Sequence, residues 1–188
     1  TKNGFDVTIP QNLTSGRSIT ATNKGYTVSF KIKGDTNGLN MRTTASVVDA
    51  DKLPSVVKMN DTVKMTGEVS TSADISSSGT LTEGQKIEKF NAEKMTVENQ
   101  TSAVVYKNFL NRSDLEYVVT SNSLKENIVV YAPQSEYIYR FDLDSGGLMP
   151  AEQADGSIKW VDPKNPDETV FLLDAPYMYD ANDNESFD

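Results

Sequence analysis

A two-residue rhythm narrows the fold of this chain more than any other feature. Tyr26, Val28, Phe30 and Ile32 are apolar, while Thr27, Ser29 and Lys31 between them are polar. Side chains of an extended chain point alternately to its two faces. A period of two therefore turns one face to a core and the other to water, as a half-buried antiparallel strand requires. The rhythm recurs along the chain with turn residues between the runs. Residues 5–9 alternate and stop at Pro10. Residues 18–22 lead through Asn23, Lys24 and Gly25 into 26–32 as a hairpin. After turn chemistry at 34–38, residues 39–48 read as a further strand. From Ala103 the signal strengthens. Residues 104–106 come first, and 115–120 pair with 125–131 across 121–123. Tyr137, Tyr139, Phe141 and Leu143 alternate up to Ser145, Gly146 and Gly147. Residues 148–153 and 157–161 bracket Ala154, Asp155 and Gly156, and Asp-Gly between strands is a strong hairpin signal. A loop over 162–167 then leads to a strand at 170–173. Short strands at regular spacing, polar turns and no long amphipathic helix predict an all-β domain, an antiparallel β-sandwich or barrel-like fold.

Residues 50–100 break the rhythm. Nine of the seventeen positions from Thr66 to Thr82 are Ser or Thr, with few large apolar side chains among them. Such a stretch buries too little surface to offset its ordering entropy, so it reads as a Ser/Thr-rich insertion or linker. Val56 to Met59 and Thr62 to Met65 flank Asn60 and Asp61 as a small hairpin or a chance likeness, and 83–94 has the composition of a short helix with Ile87 and Phe90 on one side. The organisation expected is 1–49 as N-terminal strands, 50–100 as a flexible insertion and 101–188 as the main β domain with an acidic tail.

The chain of 188 residues contains no cysteine and no histidine. A Ser-His-Asp triad, a Cys-His nucleophile, a zincin, a zinc finger, a disulfide and cysteine- or histidine-ligated haem are thereby excluded. The formal charge is −9. Residues 150–188 carry ten acids against Lys159 and Lys164, which is −8 of that total. An acidic surface without a Lys/Arg cluster repels phosphate backbones and anionic lipid, so neither nucleic acid nor membrane insertion is expected. No apolar run reaches the roughly 18–20 residues of a membrane helix, and no signal peptide is visible. A start at Thr1 and an end at Asp188 read as a piece trimmed from something larger. Absence of thiols suits a cytosol or the exterior of a Gram-positive-type cell.

Each residue set able to carry chemistry has a plainer reading beside it. Asp114 and Glu116, two apart on one strand face with Glu126 opposite, form a glycosidase-like acid set; the plainer reading pairs Glu116 with Lys125 or Lys107 on a solvent face. Ser123 and Lys125 have the residue types of a Ser-Lys dyad without its helical spacing. Asp180, Asn182, Asp183 and Asn184 crowd oxygen ligands as calcium requires, but Glu185 stands where an EF-hand count needs glycine; otherwise they are a solvated tail. Trp160, Tyr137, Tyr139 and Tyr177, with Tyr131 and Tyr179, offer rings for stacking on sugars, against a core reading for the alternating tyrosines. Trp160, close after the Asp-Gly turn, is the best candidate for an exposed ring. No catalytic residue and no obligatory cofactor is expected.

Three phrases carry a family resemblance: DLEYVVTSNSLKENIVV at 114–130, DGSIKWVD at 155–162 and APYMYDA at 175–181. In order and spacing they resemble a region of large secreted proteins of Gram-positive-type bacteria, the wall-associated Rhs/YD-repeat proteins and relatives with DNRLRE-type modules, upstream of the repeat array. The resemblance covers 101–188, and more loosely 1–49 through Asn3 to Leu13. It implies a non-catalytic, extracellular structural or interaction module. The partners it implies are neighbouring domains of the same polypeptide and a cell-wall or glycan surface. A carbohydrate-binding module of such a protein is the alternative.

Overall fold

The computed structural model describes residues 5–13, 17–33, 43–49, 53, 63–70, 103–110, 112–119, 123–133, 135–182 and 184–186. Among them run fourteen strands and no helix: β1 (Asp6–Thr8), β2 (Ile19–Asn23), β3 (Tyr26–Ile32), β4 (Ala45–Val48), β5 (Val63–Ser70), β6 (Ala103–Leu110), β7 (Ser113–Val119), β8 (Ser123–Val130), β9 (Phe141–Asp144), β10 (Met149–Glu152), β11 (Ile158–Asp162), β12 (Asn165–Leu173), β13 (Tyr177–Asp180) and β14 (Glu185–Ser186). All pairings are antiparallel. The small sheet has the order β1-β2-β3-β9 and the large one β10-β11-β12-β5-β8-β7-β6-β4, with β13 and β14 joined beside β5. Neither closes into a barrel.

The turns expected from sequence form where the chemistry favours them. Lys24 and Gly25 join β2 to β3 with φ of 50° and 83°, the left-handed pair that a two-residue hairpin needs. Gly156, at φ 82°, closes the β10–β11 hairpin, with Gly156 N donating to Gln153 O at 3.0 Å and Asp155 Oδ1 accepting from Ser157 N at 3.0 Å. The expected loop over 162–167 is tighter than its prolines suggest. Asp162 pairs with Asn165 around Pro163 and Lys164, and β12 begins at once. The 137–143 alternation is a strand only from Phe141 onward. Tyr137 and Tyr139 lie just before β9, partly buried against the core.

The two sheets pack face to face. Val28, Phe30 and Ile32 of β3 and Ile19 and Ala21 of β2 share one buried cluster with Tyr106, Leu115, Tyr117, Leu124, Ile128, Trp160 and Phe171 of the large sheet. The register explains this choice: Tyr106 faces Leu115, Leu115 faces Ile128, and Trp160 faces Phe171, so these side chains project to one side. The tip of the β2–β3 hairpin docks on the β11–β12 hairpin. Asn23 Nδ2 donates to Val170 O at 2.8 Å, and Lys24 Nζ lies 2.7 Å from Glu168 Oε1. Pairing of β3 with β9 and of β4 with β6 knits the first fifty residues to the second half.

The 50–100 segment departs in part from an insertion. Val63–Ser70 forms β5, paired along its full length with β8. Its other edge is shared, with β12 at Val69 and Ser70 and β13 from Val63 to Thr66. A strand of alternating polarity can sit inside a sheet when both neighbours satisfy its backbone. Leu53 is fully buried against Ala103, Val105 and Val118 on the outer face of the large sheet. Val56 to Met59, the Ser/Thr run beyond residue 70 and the helix expected at 83–94 lie outside the described residues.

Candidate functional site: polar groups buried in the central strands

Alternation in β7 places Leu115 and Tyr117 on the inner face and Asp114, Glu116 and Val118 on the outer one. In β8 it places Leu124, Glu126, Ile128 and Val130 inward and Lys125, Asn127 and Val129 outward. Both faces of these strands are largely buried, with Glu126 partly exposed and Val119 exposed, which the half-buried reading did not anticipate. Glu116 is 0%, Asn127 1% and Lys125 4% exposed.

The outer polar groups are engaged within the fold. Asp114 Oδ1 accepts from Asn108 N at 2.7 Å, and its Oδ2 accepts from Tyr131 OH at 2.9 Å. Asn108 reaches this position through a left-handed φ of 50° in the irregular stretch of β6. Burial, together with the hydrogen bond to Asp114, drives the Tyr131 phenol far above its ordinary pKa. Asn127 Nδ2 donates to Glu116 Oε2 at 3.4 Å, while Asn127 Oδ1 is buried with no hydrogen-bond partner among the described residues. Lys125 Nζ donates to Tyr177 OH at 2.7 Å and lies 5.1 Å from that ring's centroid. The Tyr177 ring stacks on Tyr179 at 6.3 Å and 19°.

On the inner face, Tyr117 OH donates to Glu126 Oε2, and Tyr106 OH donates to Pro10 O. Burial raises the Tyr106 phenol to about 12. Burial, followed by the nearby Glu126 charge, raises Tyr117 well above the usual phenol range. Glu126 is pushed up to about 7 by burial, and the Tyr117 hydrogen bond only partly opposes this.

This arrangement corrects several expectations. The acid set does not converge on one cleft: Asp114 and Glu116 face outward, and Glu126 faces inward, across from Tyr117. Glu116 is not part of a solvent-face pair, because it and Lys125 are buried. Ser123 and Lys125 share the outer face, but the lysine amine is directed to Tyr177. Trp160 is 9% exposed rather than open, since β10 and β12 flank it and its face of β11 joins the core between the sheets. Tyr177 is likewise 9% exposed. Tyr137 and Tyr139 are partly buried, with the Tyr139 ring 6.5 Å from Phe109.

The Asp180 cluster forms a turn. Asp180 Oδ1 accepts from Asn182 N at 2.8 Å and Asn184 N at 2.9 Å, and Oδ2 accepts from Asn184 Nδ2 at 2.8 Å. These donors, the Asn184 side chain foremost, hold the Asp180 carboxyl below its usual range. Its oxygens thus meet N–H groups, the reverse of a cation's demand. Among the described residues no group of three or more acidic side chains gathers to hold a metal ion; Asp183 lies outside those residues.

Sequence reasoning missed the Tyr117–Glu126 and Tyr106–Pro10 contacts and the burial of Asn127. Period two put Asp114 and Glu116 on one face. Nothing in a polar alternation distinguishes a face in water from one covered by more chain. No protein-family model, no curated protein and no solved structure matches the chain.

Proposed function

We propose that this chain is a non-catalytic structural or interaction module of a large secreted or cell-wall-associated bacterial repeat protein, with neighbouring domains of the same polypeptide as its first partners. One observation carries the non-catalytic part: each carboxylate of the candidate acid set serves the fold. Asp114 orders the β6 irregularity, Glu116 meets Asn127, and Glu126 meets Tyr117 on the opposite face. A glycosidase of the two-carboxylate kind needs both acids on one side of a cleft, and here Glu126 faces away from Asp114 and Glu116. The extracellular context rests on the phrases at 114–130, 155–162 and 175–181. Burial of Trp160 and Tyr177 weakens the carbohydrate-binding alternative, because sugar stacking needs an open ring face.

The coding frame around this segment tests the context. An export signal upstream and tyrosine-aspartate repeats downstream are expected; a frame encoding a cytosolic protein would overturn the reading. The glycan alternative is tested through Trp160, the one tryptophan in the chain. Its fluorescence is expected to stay unchanged on titration with cell-wall oligosaccharides, whereas a saturable shift would revive that alternative.

A further inference from the structure

Strands that end a sheet in this fold carry a charge or a proline, with one exception. Asp6 stands on β1, Asp142 and Asp144 on β9, Pro150 and Glu152 on β10, and Glu185 on β14. Such residues discourage a further strand from adding. Strand β4 ends the large sheet with Ala45, Ser46, Val47 and Val48 alone. Its main chain also offers bonds outward. Ala45 N donates away from β6, to Gln11 O at 2.7 Å. Alternation along an antiparallel strand turns Val47 N–H and C=O the same way, while Ser46 and Val48 bond to β6. Gln11 and Asn12 cover only the start of this edge, at Thr44 and Ala45, and among the described residues no strand lies beside Val47. The Val47 side chain is 76% exposed, ahead of Ile138 at 50%. It faces Val104, which packs against the core between the sheets. Val119, two residues past Tyr117 on that face of β7, is also exposed.

We propose that β4 pairs with β4 of a second copy of this chain, antiparallel about a twofold axis at Val47 and Val48, so that the large sheet continues across two molecules. A second copy brings the matching edge: uncharged, apolar and carrying the same pair of outward groups. The placement of charge allows this in a chain of −9. Residues 150–188 hold −8 of that total, and β10 to β14 all lie beyond β5, on the side away from β8. Strands β8, β7 and β6 stand between β5 and the β4 edge. At about 4.8 Å per strand the acidic strands of each copy lie more than about 20 Å from the seam. With a Debye length of about 8 Å at physiological salt, their mutual repulsion is screened. Each copy has one edge free of charge and proline, so the pairing closes at two copies instead of growing into a filament. The seam takes four residues from each copy and falls below the roughly 1,200 Å² of a standard interface, so the dimer is weak. This pairing goes beyond the module reading and holds in whichever compartment the chain works.

Sedimentation equilibrium of the intact chain from about 20 μM to about 1 mM tests the pairing. The average mass is expected to climb from 20.7 kDa toward twice that value. Over the same range the Val47 amide is expected to gain protection from hydrogen exchange. Val47→Lys sets two like charges together at the seam and leaves the backbone intact. Val47→Pro removes the outward N–H and spares the bonds to β6. Both variants are expected to stay at the monomer mass and to melt within about 2 °C of the parent, because Val47 is open. Leu143→Lys, at a 44% exposed position on the charged edge β9, is expected to dimerise like the parent. A parent that stays monomeric throughout, dimers in both Val47 variants, or masses that grow past two copies would overturn the proposal. The parent's Val47 amide decides the matter even if a variant fails to fold: exchange that does not slow with concentration overturns the pairing.

Discussion

Gly146 shows how one residue fixes the path between layers. The chain leaves β9 in the small sheet and enters β10 in the large one through residues 145–148, with Leu148 N donating to Ser145 O at 3.2 Å. Gly146 holds φ 61°, and a Cβ built there would lie 2.0 Å from Thr27 O, a backbone atom that cannot swing aside. Gly25 also has a positive φ, 83°, but nothing stands within 4 Å of its missing Cβ. Gly146→Ala is therefore expected to destabilise by about 2–4 kcal/mol and Gly25→Ala by about 1 kcal/mol in urea denaturation. Equal losses would show that the close approach to Thr27 contributes nothing. The glycines were legible as turn residues in the sequence, but the neighbour that makes one of them irreplaceable is over a hundred positions away. The same limit hid Trp160. Its position near a tight turn suggested an open ring, whereas its face of β11 is set by pairing with Phe171 and Pro150.

At the scale of elements, the docking of the β2–β3 tip on β11–β12 separates two kinds of polar contact. Asn23 is 8% exposed and satisfies the Val170 carbonyl, while Lys24 and Glu168 form an exposed ion pair with side chains 50% and 38% accessible. Asn23→Ala leaves a buried carbonyl unpaired and is expected to cost about 1–2 kcal/mol. Lys24→Ala is expected to change stability by less than about 0.5 kcal/mol, and even less at high salt. Denaturation midpoints of the two variants check this, and the reverse ranking would mean that the hairpin is held electrostatically. Elements were legible wherever apolar residues alternated strongly, as in β3, β7 and β8. Strand β5 was not. Its sequence VKMTGEVS runs into the Ser/Thr-rich stretch, and its place in the sheet comes from the backbone partners β8, β12 and β13, which no local pattern records. Polar alternation misled in β7 and β8 too, where Glu116 and Lys125 read as a solvent-face pair and are buried. Of the candidate site, the shared face of Asp114 and Glu116 was legible, while their burial, the inward face of Glu126 and the burial of Trp160 were not.

For the whole molecule, the pairings β3–β9, β4–β6 and β5–β8 mean that every third of the chain completes a sheet begun by another. Pairings between positions this far apart give a cooperative unit, because none can form at low entropic cost before the others. Residues 101–188 expressed alone are thus expected to lack a cooperative unfolding transition, having lost the small sheet's β2 and β3 and the central β5. A sharp transition in that fragment would mean that the two ends of the chain fold independently. The central claim is that β5 belongs to the same folding unit as β7 and β8, and amide hydrogen exchange of the intact chain tests it most directly. Amides of 63–70 are expected to show protection matching those of β7 and β8, within about 1 kcal/mol of a common opening free energy. Exchange of 63–70 at the rate of an unstructured peptide, with β7 and β8 still protected, would contradict the account.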